Sequence, residues 1–464
     1  MIDRRTMISG AGLGAAVTVV AGAQSQSIAP AFAASGKVTP VTAVDVPEAF
    51  MGPRMNFEQA EKVMTKLGLD ALVVGSGTNF YHATGIDLTA TRMGHAPGAY
   101  AIITRDDKQR LSVVSQSFMY YYTIAQDHIH ANYPVYIYTA PTGDGSVEGI
   151  GRTALPAEGF RDRGEAPMDE VEVFRAKALA DAVTNKGTEP GLMFAVRKAL
   201  NDVGVSKGRI AVDLQPVWRT VAEAAPDATI VDADDALRRI RPIKSELEVK
   251  LMRYAAQLNC EAALEAVQTV RAGGDVRDLR AAYFAAAARR GGRGVFMVIN
   301  RVSSPNYEAK FHDGQCFSID CVSEFMGYHG DYARSVFVGE PPANMKKVTT
   351  AAAKSWDAIR EILKPGVSFS QIRAKGKETL KKMGVDYNIS FTPHSVGLYH
   401  NDAAGSSGLS SAGDTVLEKN FILSVDCPLL EAGAGGSHHL EDLTLFTADG
   451  SEQINDIGNR TITV

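Results

Sequence analysis

The sequence predicts an α/β (α+β) chain made of two unlike parts, and three observations carry that expectation. Residues 50–235 alternate between short apolar, strand-like runs and amphipathic helical ones. A basic stretch at 238–244 is followed at once by a helix-start signal. The second half repeats a helix–Gly–cap–helix pattern, then runs into strand-like segments that hold acidic and histidine side chains among apolar ones. At 464 residues, with 45% hydrophobic and 22% charged content, the chain exceeds what one core accommodates and has a globular composition. A net charge of −5 supplies no positive field, so nucleic acid is not an expected partner. Four cysteines are too few for a disulfide scaffold. No apolar run reaches the roughly 18–20 residues needed to span a bilayer.

The first 34 residues are set apart from the fold. Arg4-Arg5 precedes a small, apolar stretch, and Ala31-Phe32-Ala33 follows it. Charged start, short apolar middle and A-x-A end are the three parts of an export signal, and the paired arginines resemble the twin-arginine class. A buried helix is the alternative, but Gly10, Gly12, Gly14 and Gly22 disfavour it. The mature chain is expected to begin near Ala34 and to be periplasmic or secreted.

Residues 50–240 form the first predicted domain. Phe57–Leu67 has helical periodicity, 71–75 is a short buried strand, and 100–104 with 110–115 flank Asp106-Asp107 as a hairpin. Residues 192–203 are expected to be helical, 209–213 a strand, and 139–167, rich in Gly, Pro and charge, a long loop. The second domain spans 241–464. Ser245 stands three residues before Glu248, a capping-box spacing. Leu247, Leu251, Tyr254 and Leu258 continue at helical intervals, and Gly273-Gly274 is expected to stop the helix. Gly273, Asp275, Val276, Leu279 and Arg280 correspond to Gly366, Ser368, Phe369, Ile372 and Arg373, each 93 positions on. This weak repeat predicts a domain of two similar halves.

The chemistry gathers in that domain. Cys316–Phe325 alternates as a strand with Asp320 inside it. Gly327-Tyr328 turns the chain, and 331–338 returns with Asp331. A carboxylate in each apolar strand is costly to bury unless something positive neutralises it. Taken alone, the pair would be accounted for by Arg334 on one carboxylate and solvent on the other. It does not stand alone. His394, Asp426 within 421–428, and Glu441 within 440–446 are likewise set in or beside apolar strands. Oxygen-rich ligation with one imidazole suits Mn, Fe, Co or Zn. Four carboxylates and a histidine exceed the needs of one divalent ion and predict two.

These residues also carry a family resemblance. Asp320-x10-Asp331 with Gly327-Tyr328 and Arg334, then His394 with Gly397, Asp426 and Glu441-Asp442, resemble the pita-bread metallopeptidases in order and spacing. That superfamily includes methionine aminopeptidase, aminopeptidase P, prolidase and creatinase. Asn79-Phe80-Tyr81 with Thr84-Gly85 resembles the creatinase-type N-terminal domain, and 241–248 the family's approach to the catalytic domain. The resemblance implies a creatinase-type α/β domain followed by a pita-bread domain with pseudo-two-fold halves. It implies that Asp320, Asp331, His394, Asp426 and Glu441 bind two divalent metals, Asp331 and Glu441 bridging them. Asp426 would double as acid/base. Read from the residues themselves, His400, close to His394, is expected to orient substrate or act as acid/base, with a surface histidine beside Asn401-Asp402 as the alternative. His438-His439 could hold a substrate carboxylate near Glu441, with a solvated loop after Gly435-Gly436 as the alternative for His438. The implied activity is hydrolysis of small peptides or amides, Xaa-Pro aminopeptidase- or prolidase-like, by a homodimer.

The sequence departs from that pattern at four places. Asp426-Cys427 replaces a Glu-Pro pair, and one methylene moves a carboxylate by about 1 Å, enough to cost about 10²-fold in a positioned proton transfer. No histidine occurs in 301–306, where the peptidases carry a substrate-binding one, and His312 lies too close to Asp320 to replace it. The interval from His394 to His400 is one residue shorter than in prolidase-like enzymes. His439 replaces an arginine. The shortened interval and missing histidine also resemble the dimethylsulfoniopropionate-lyase branch, in which the metal supports β-elimination. That branch carries a further acidic ligand where this chain has Val322. The alternatives to peptide hydrolysis are therefore such a lyase and a catalytically silent binding protein. Cys321 and Cys427 are expected to be buried thiols on the far faces of their strands, with a disulfide as the alternative. The aromatic run 118–122 is expected to serve core or interface packing.

Overall fold

Seven strands make up the sheet of the N-terminal lobe. Their spatial order is Thr188–Glu189, Val135–Tyr138, Leu111–Gln116, Ala99–Thr104, Ala71–Val74, Arg209–Val212 and Thr229–Asp232. The computed structural model describes residues 50–128, 133–139, 163–402, 414–455 and 457–464. The export sequence and most of the 139–167 loop lie outside them; the described ends of that loop, 139 and 163–167, hold no helix or strand. Ala99–Thr104 and Leu111–Gln116 pair antiparallel as the expected hairpin. Phe57–Leu67 is a helix because Asn56 caps its start, accepting from the Gln59 N–H, and Gly68 at φ 63° stops it. Leu192–Asp202 and Arg209–Val212 are the expected helix and strand.

The C-terminal lobe begins with Glu246–Val267, opened by the Ser245/Glu248 capping box. This helix ends before Gly273-Gly274. The Thr269 hydroxyl donates to the Ala266 carbonyl, satisfying one of the last helical acceptors and closing the run early. Gly273, at φ 80°, instead sends its N–H to the Phe311 carbonyl.

The repeat is structural. Helices Val276–Arg289 and Phe369–Lys382 occupy positions 93 residues apart at both ends, capped by Asp275 and Ser368. The preceding helices, Glu246–Val267 and Ala343–Arg360, end 93 residues apart. Gly366 donates to the Leu417 carbonyl as Gly273 does to that of Phe311, and the bridges Asp275↔Lys310 and Ser368↔Val416 match as well. Each half contributes a four-stranded sheet. One has the order Thr461–Thr463, Tyr328–Phe337, Cys316–Phe325, Arg293–Ile299; the other runs Thr392–Ser395, Ile422–Asp426, Thr444–Phe446, Ser451–Gln453. The bridge Ala333↔Glu441 joins them. This is the pseudo-two-fold architecture expected.

Buried apolar residues separate in the same way. Two hydrophobic clusters draw on residues between Met55 and Ile240, and two on residues between Leu251 and Phe446. Between the lobes, Phe50 and Tyr81 pack against the C-terminal cluster, and Tyr81 donates to the Met326 carbonyl at 2.6 Å.

The strand holding Asp331 lies close against Glu246–Val267. A Cβ on Gly330 would sit 2.4 Å from the Ala255 carbonyl oxygen and 2.4 Å from Asn259 Cβ. Gly330→Ala is therefore expected to destabilise the fold by about 1–3 kcal/mol, the usual cost of overpacking. A lowered urea midpoint with unchanged slope checks this.

Candidate metal centre

Strand alternation aims the first two carboxylates. Cys316–Phe325 and Tyr328–Phe337 pair with Asp320 opposite Ala333 and Asp331 opposite Val322. Residues of one parity share a face, so both carboxylates point the same way. Met326 (φ 49°) and Gly327 (φ 80°) form the two-residue turn, with the positive φ angles a type I′ hairpin needs. From the other half, His394 lies opposite Ser424 and Asp426 opposite Thr392. Glu441 enters over Ala333. All five residues predicted as ligands thus converge between the two halves.

The distances are short. His394 Nε2 lies 3.1 Å from Glu441 Oε1, 3.5 Å from Asp426 Oδ2 and 3.7 Å from Asp331 Oδ2. His400 Nε2 lies 3.1 Å from Asp331 Oδ2. His439 Nε2 is 3.4 Å from Asp426 Oδ1, and 3.9 Å from both Asp320 Oδ2 and Glu441 Oε2. Three overlapping groups offer ligand atoms within 4.8 Å of one another: Asp331–His394–His400, His394–Asp426–Glu441 and Asp320–Asp331–Glu441.

Two observations test whether this donor set fits a cation. Among the described residues, the buried atoms Asp320 Oδ1, Asp331 Oδ1 and Glu441 Oε2 have no hydrogen-bond partner. Buried acceptors without donors are costly, and a metal ion satisfies them. The His394 ring is also oriented for ligation. Its Nδ1 lies 3.2 Å from the His400 carbonyl and 3.3 Å from that of Ser395, so Nδ1 carries the proton and the Nε2 lone pair faces the carboxylates. A lone pair aimed at an ionised Glu441 Oε1 is repulsive unless a proton or a metal ion lies between them. The residues fit.

Protonation follows the same crowding. Burial pushes the Asp320 carboxyl up to about 7, with His439 pulling the other way. Burial, reinforced by Asp331 and Asp426, raises Glu441 well above the carboxylate range. Burial acts on Asp331 and Asp426 too, but His400 and His394 hold Asp331 low, and His439 and His394 hold Asp426 low. The His400 imidazole, lowered by burial but raised more by Asp331, reaches about 9. His439 is raised by Asp426 and Asp320 against its burial.

The other side chains weighed in the sequence fall at varied distances from the centre. Arg334 pairs with neither Asp320 nor Asp331. It points to the opposite face, fully buried, and donates to Asp442 Oδ1 at 2.6 Å and to the Glu441 carbonyl at 2.8 Å. Strand parity requires this, because Arg334 follows Ala333. His438 is neither solvated nor in the cluster; it is buried with Nδ1 2.7 Å from Ser335 Oγ. His312 is exposed and bonds only through its backbone among the described residues. All four cysteines are free and buried, Cys321 and Cys427 in different hydrophobic clusters. In the aromatic run, Tyr120 and Tyr121 are buried while Phe118 and Tyr122 are exposed, their rings 4.7 Å apart.

Sequence inspection missed three neighbours. The Ser424 hydroxyl donates to Glu441 Oε1 at 2.5 Å. His329 sits two residues before Asp331, with Nδ1 3.0 Å from the Gly397 carbonyl. The Phe296 ring packs edge-on to His400, centroids 5.4 Å apart. Period-2 counting back from Asp426 and Asp331 points to Ser424 and His329; nothing local points to Phe296.

Residues 250–448 match metallopeptidase family M24. Creatinase of Bacillus sp. (strain B-0618) is 25% identical over 287 residues, 56% of this chain and 70% of that protein. The probable dipeptidase PepE of Mycobacterium tuberculosis is 24% identical over 241 residues, 50% of this chain and 63% of its own length, just under two thirds. The prolidase structure from Pyrococcus horikoshii OT3 superposes with a TM-score of 0.61 at 18% identity, covering 88% of this chain and 99% of that one. The chain is thus similar to family M24 over residues 250–448, less than half of its length, and has the pita-bread fold of the prolidase structure. Fold, family match and donor set together support a metal-dependent hydrolase.

The protein is expected to carry one to two equivalents of a divalent transition metal by elemental mass spectrometry. Asp331→Ala, which removes a donor from two of the three groups, is expected to lose most of it.

Proposed function

We propose that this chain is an exported, dimeric metallohydrolase of small peptides or amides, similar in activity to prolidase and aminopeptidase P. The observation that carries the reading is the convergence of Asp320, Asp331, His394, Asp426 and Glu441 from two repeated halves, with buried carboxylate oxygens left without donors. Two divalent ions, of Mn, Fe, Co or Zn, suit that donor set. When bound, they supply Lewis-acid polarisation of the scissile carbonyl and a water acidified to near neutrality.

The side chains divide the remaining work. Asp331 and Glu441, whose side chains are fully buried, would be the carboxylates shared between the two ions. Asp426 is the most open of the five, with 30% of its side chain exposed. Held ionised beside His394 and His439, it is suited to accept a proton from the attacking water and return it to the leaving amine. His400, 35% exposed at its side chain and cationic at neutral pH, faces the opening and is placed to orient a substrate carboxylate or stabilise developing negative charge. His439 is 7% exposed, so its stronger role is to fix Asp426, with any substrate contact made through its edge.

The shorter Asp426 still reaches His394 and His439, which supports retained acid/base function. A metal-supported β-elimination on the same scaffold is the second reading. It is favoured by the shortened His394–His400 interval and by the lack of a histidine in 301–306, where Arg301 instead donates to the Leu429 carbonyl at 2.7 Å.

Incubation of the metal-loaded mature protein with an Xaa-Pro dipeptide, beside a small β-substituted acid, separates these readings. Release of proline, with His400→Ala lowering kcat by about 10²-fold, is the expected outcome. Turnover of the acid alone selects the lyase, and no turnover with metal bound selects a silent binding role. For export, the periplasmic or secreted form is expected to begin near Ala34 by intact mass. A variant with Arg4→Lys and Arg5→Lys is expected to stay in the cytoplasm.

A further inference from the structure

The segment that carries His400 is anchored by groups outside the metal centre. Arg241, 4% exposed, lies in the stretch that joins the two lobes. It donates from Nε to Asp402 Oδ1 at 2.7 Å and from Nη1 to Asn79 Oδ1 at 2.9 Å. Asn79 belongs to the N-terminal lobe and donates in turn to Asp213 Oδ2 at 2.9 Å. The Arg241 guanidinium also lies over the Tyr399 ring, 5.0 Å from its centroid. Asp402 is fully buried, and its N–H donates to Ser395 Oγ at 3.2 Å. Lys244, also buried, donates to the Arg241 carbonyl at 2.6 Å and abuts Gly397, where a Cβ would stand 2.7 Å from Nζ.

Lys244 thus lies under one end of the 397–402 turn and Arg241 under the other. Within that turn, His400 does two things for the centre: its side chain reaches Asp331, and its carbonyl accepts the Nδ1–H of His394. A displaced turn would therefore misplace His400 and rotate His394 at once. Among the described residues Arg241 forms no ion pair with the cluster carboxylates, so it cannot act on them directly. Nor is stability an adequate reason for the pair, because the desolvation of a buried ion pair offsets most of its Coulomb gain. Its definite consequence is geometry.

We infer that Arg241 and Asp402 form a positioning pair that holds the 397–402 turn, and through it sets both the ring orientation of His394 and the placement of His400. The part concerning His400 rests on the proposed function; the part concerning His394 rests only on metal binding.

The test uses the mature protein with Arg241→Lys, Arg241→Gln, Asp402→Asn and the double variant Arg241→Gln/Asp402→Asn. Manganese affinity is measured by calorimetry, His394 ligation by the visible spectrum of the cobalt-loaded protein, and kcat and KM on an Xaa-Pro dipeptide. Arg241→Gln and Asp402→Asn are each expected to weaken manganese binding about 10-fold or more, as loss of an outer-shell partner does. They are expected to shift the cobalt spectrum and to lower kcat more than KM changes. The double variant should be no worse than the worse single one, because the two residues act as a unit. It also leaves no uncompensated buried charge, so it carries the test if a single variant fails to fold. Arg241→Lys keeps the charge but loses the planar fork that spans Asp402 and Asn79; it is expected to fold and still shift the spectrum. Folded variants with wild-type manganese affinity and an unchanged cobalt spectrum would overturn the inference. If the wild-type protein cleaves no dipeptide, the peptidase reading fails while the manganese and cobalt measurements still decide the role of the pair.

Discussion

The repulsion among four carboxylates is the constraint on which the C-terminal lobe depends. Asp320, Asp331, Asp426 and Glu441 surround one small volume with little access to water. Two like charges about 4 Å apart repel by about 4 kcal/mol at the effective dielectric of a protein site. Several such pairs cannot coexist ionised without positive charge among them. The structure supplies part of it as two imidazoles, His400 and His439. The unpartnered oxygens mark where the rest belongs. A site of this kind must be held by rigid surroundings, because it does not hold itself together until a cation is present.

That rigidity comes from the repeat. Each half supplies a capped helix pair and a sheet, and the centre lies where the sheets meet at Ala333 and Glu441. Two ligands ride on the hairpin of the first half, two on the sheet of the second, and Glu441 on the bridge between them. The second half alone brings together His394, Asp426 and Glu441, but the other two groups need Asp331 from the first, so the full donor set forms only where the halves meet. On the reverse side of the same strands, Arg334 and Asp442 make a separate, fully buried ion pair at 2.6 Å. Consecutive residues, 333–334 and 441–442, therefore serve the two faces, and the junction is tied from both.

Legibility in the sequence followed the range of the forces involved. The Asp320–Asp331 hairpin was readable because alternation and a two-residue turn are local. So were the caps at Ser245, Asp275 and Ser368, since a side chain and an N–H two or three residues apart decide them. The repeat was readable from five matched positions because equivalent glycines and caps meet equivalent geometric needs. The end of the first long helix was misplaced, because a threonine hydroxyl competing for a carbonyl leaves a weaker mark than a Gly-Gly pair. The pairing of Arg334 with Asp320 or Asp331, set aside on other grounds, is also excluded by strand parity. His438 looked solvated because its neighbours are glycines, yet long-range packing buries it against Ser335.

The sequence by itself determined which side chains could make a metal centre and which strand face each would occupy, because period 2 and period 3.6 are properties of the backbone. Only the tertiary structure decided that residues separated by as many as 121 positions, Asp320 and Glu441, share one volume. It alone decided that His394 presents Nε2 rather than Nδ1, since that choice belongs to the carbonyl of His400. It also decided that Arg241, a basic residue in what read as a simple boundary, is buried against Asp402. The physical reason is common to all three. Distance along the chain carries no information about which distant donor will meet a buried acceptor; that pairing is settled when the two halves close and water leaves.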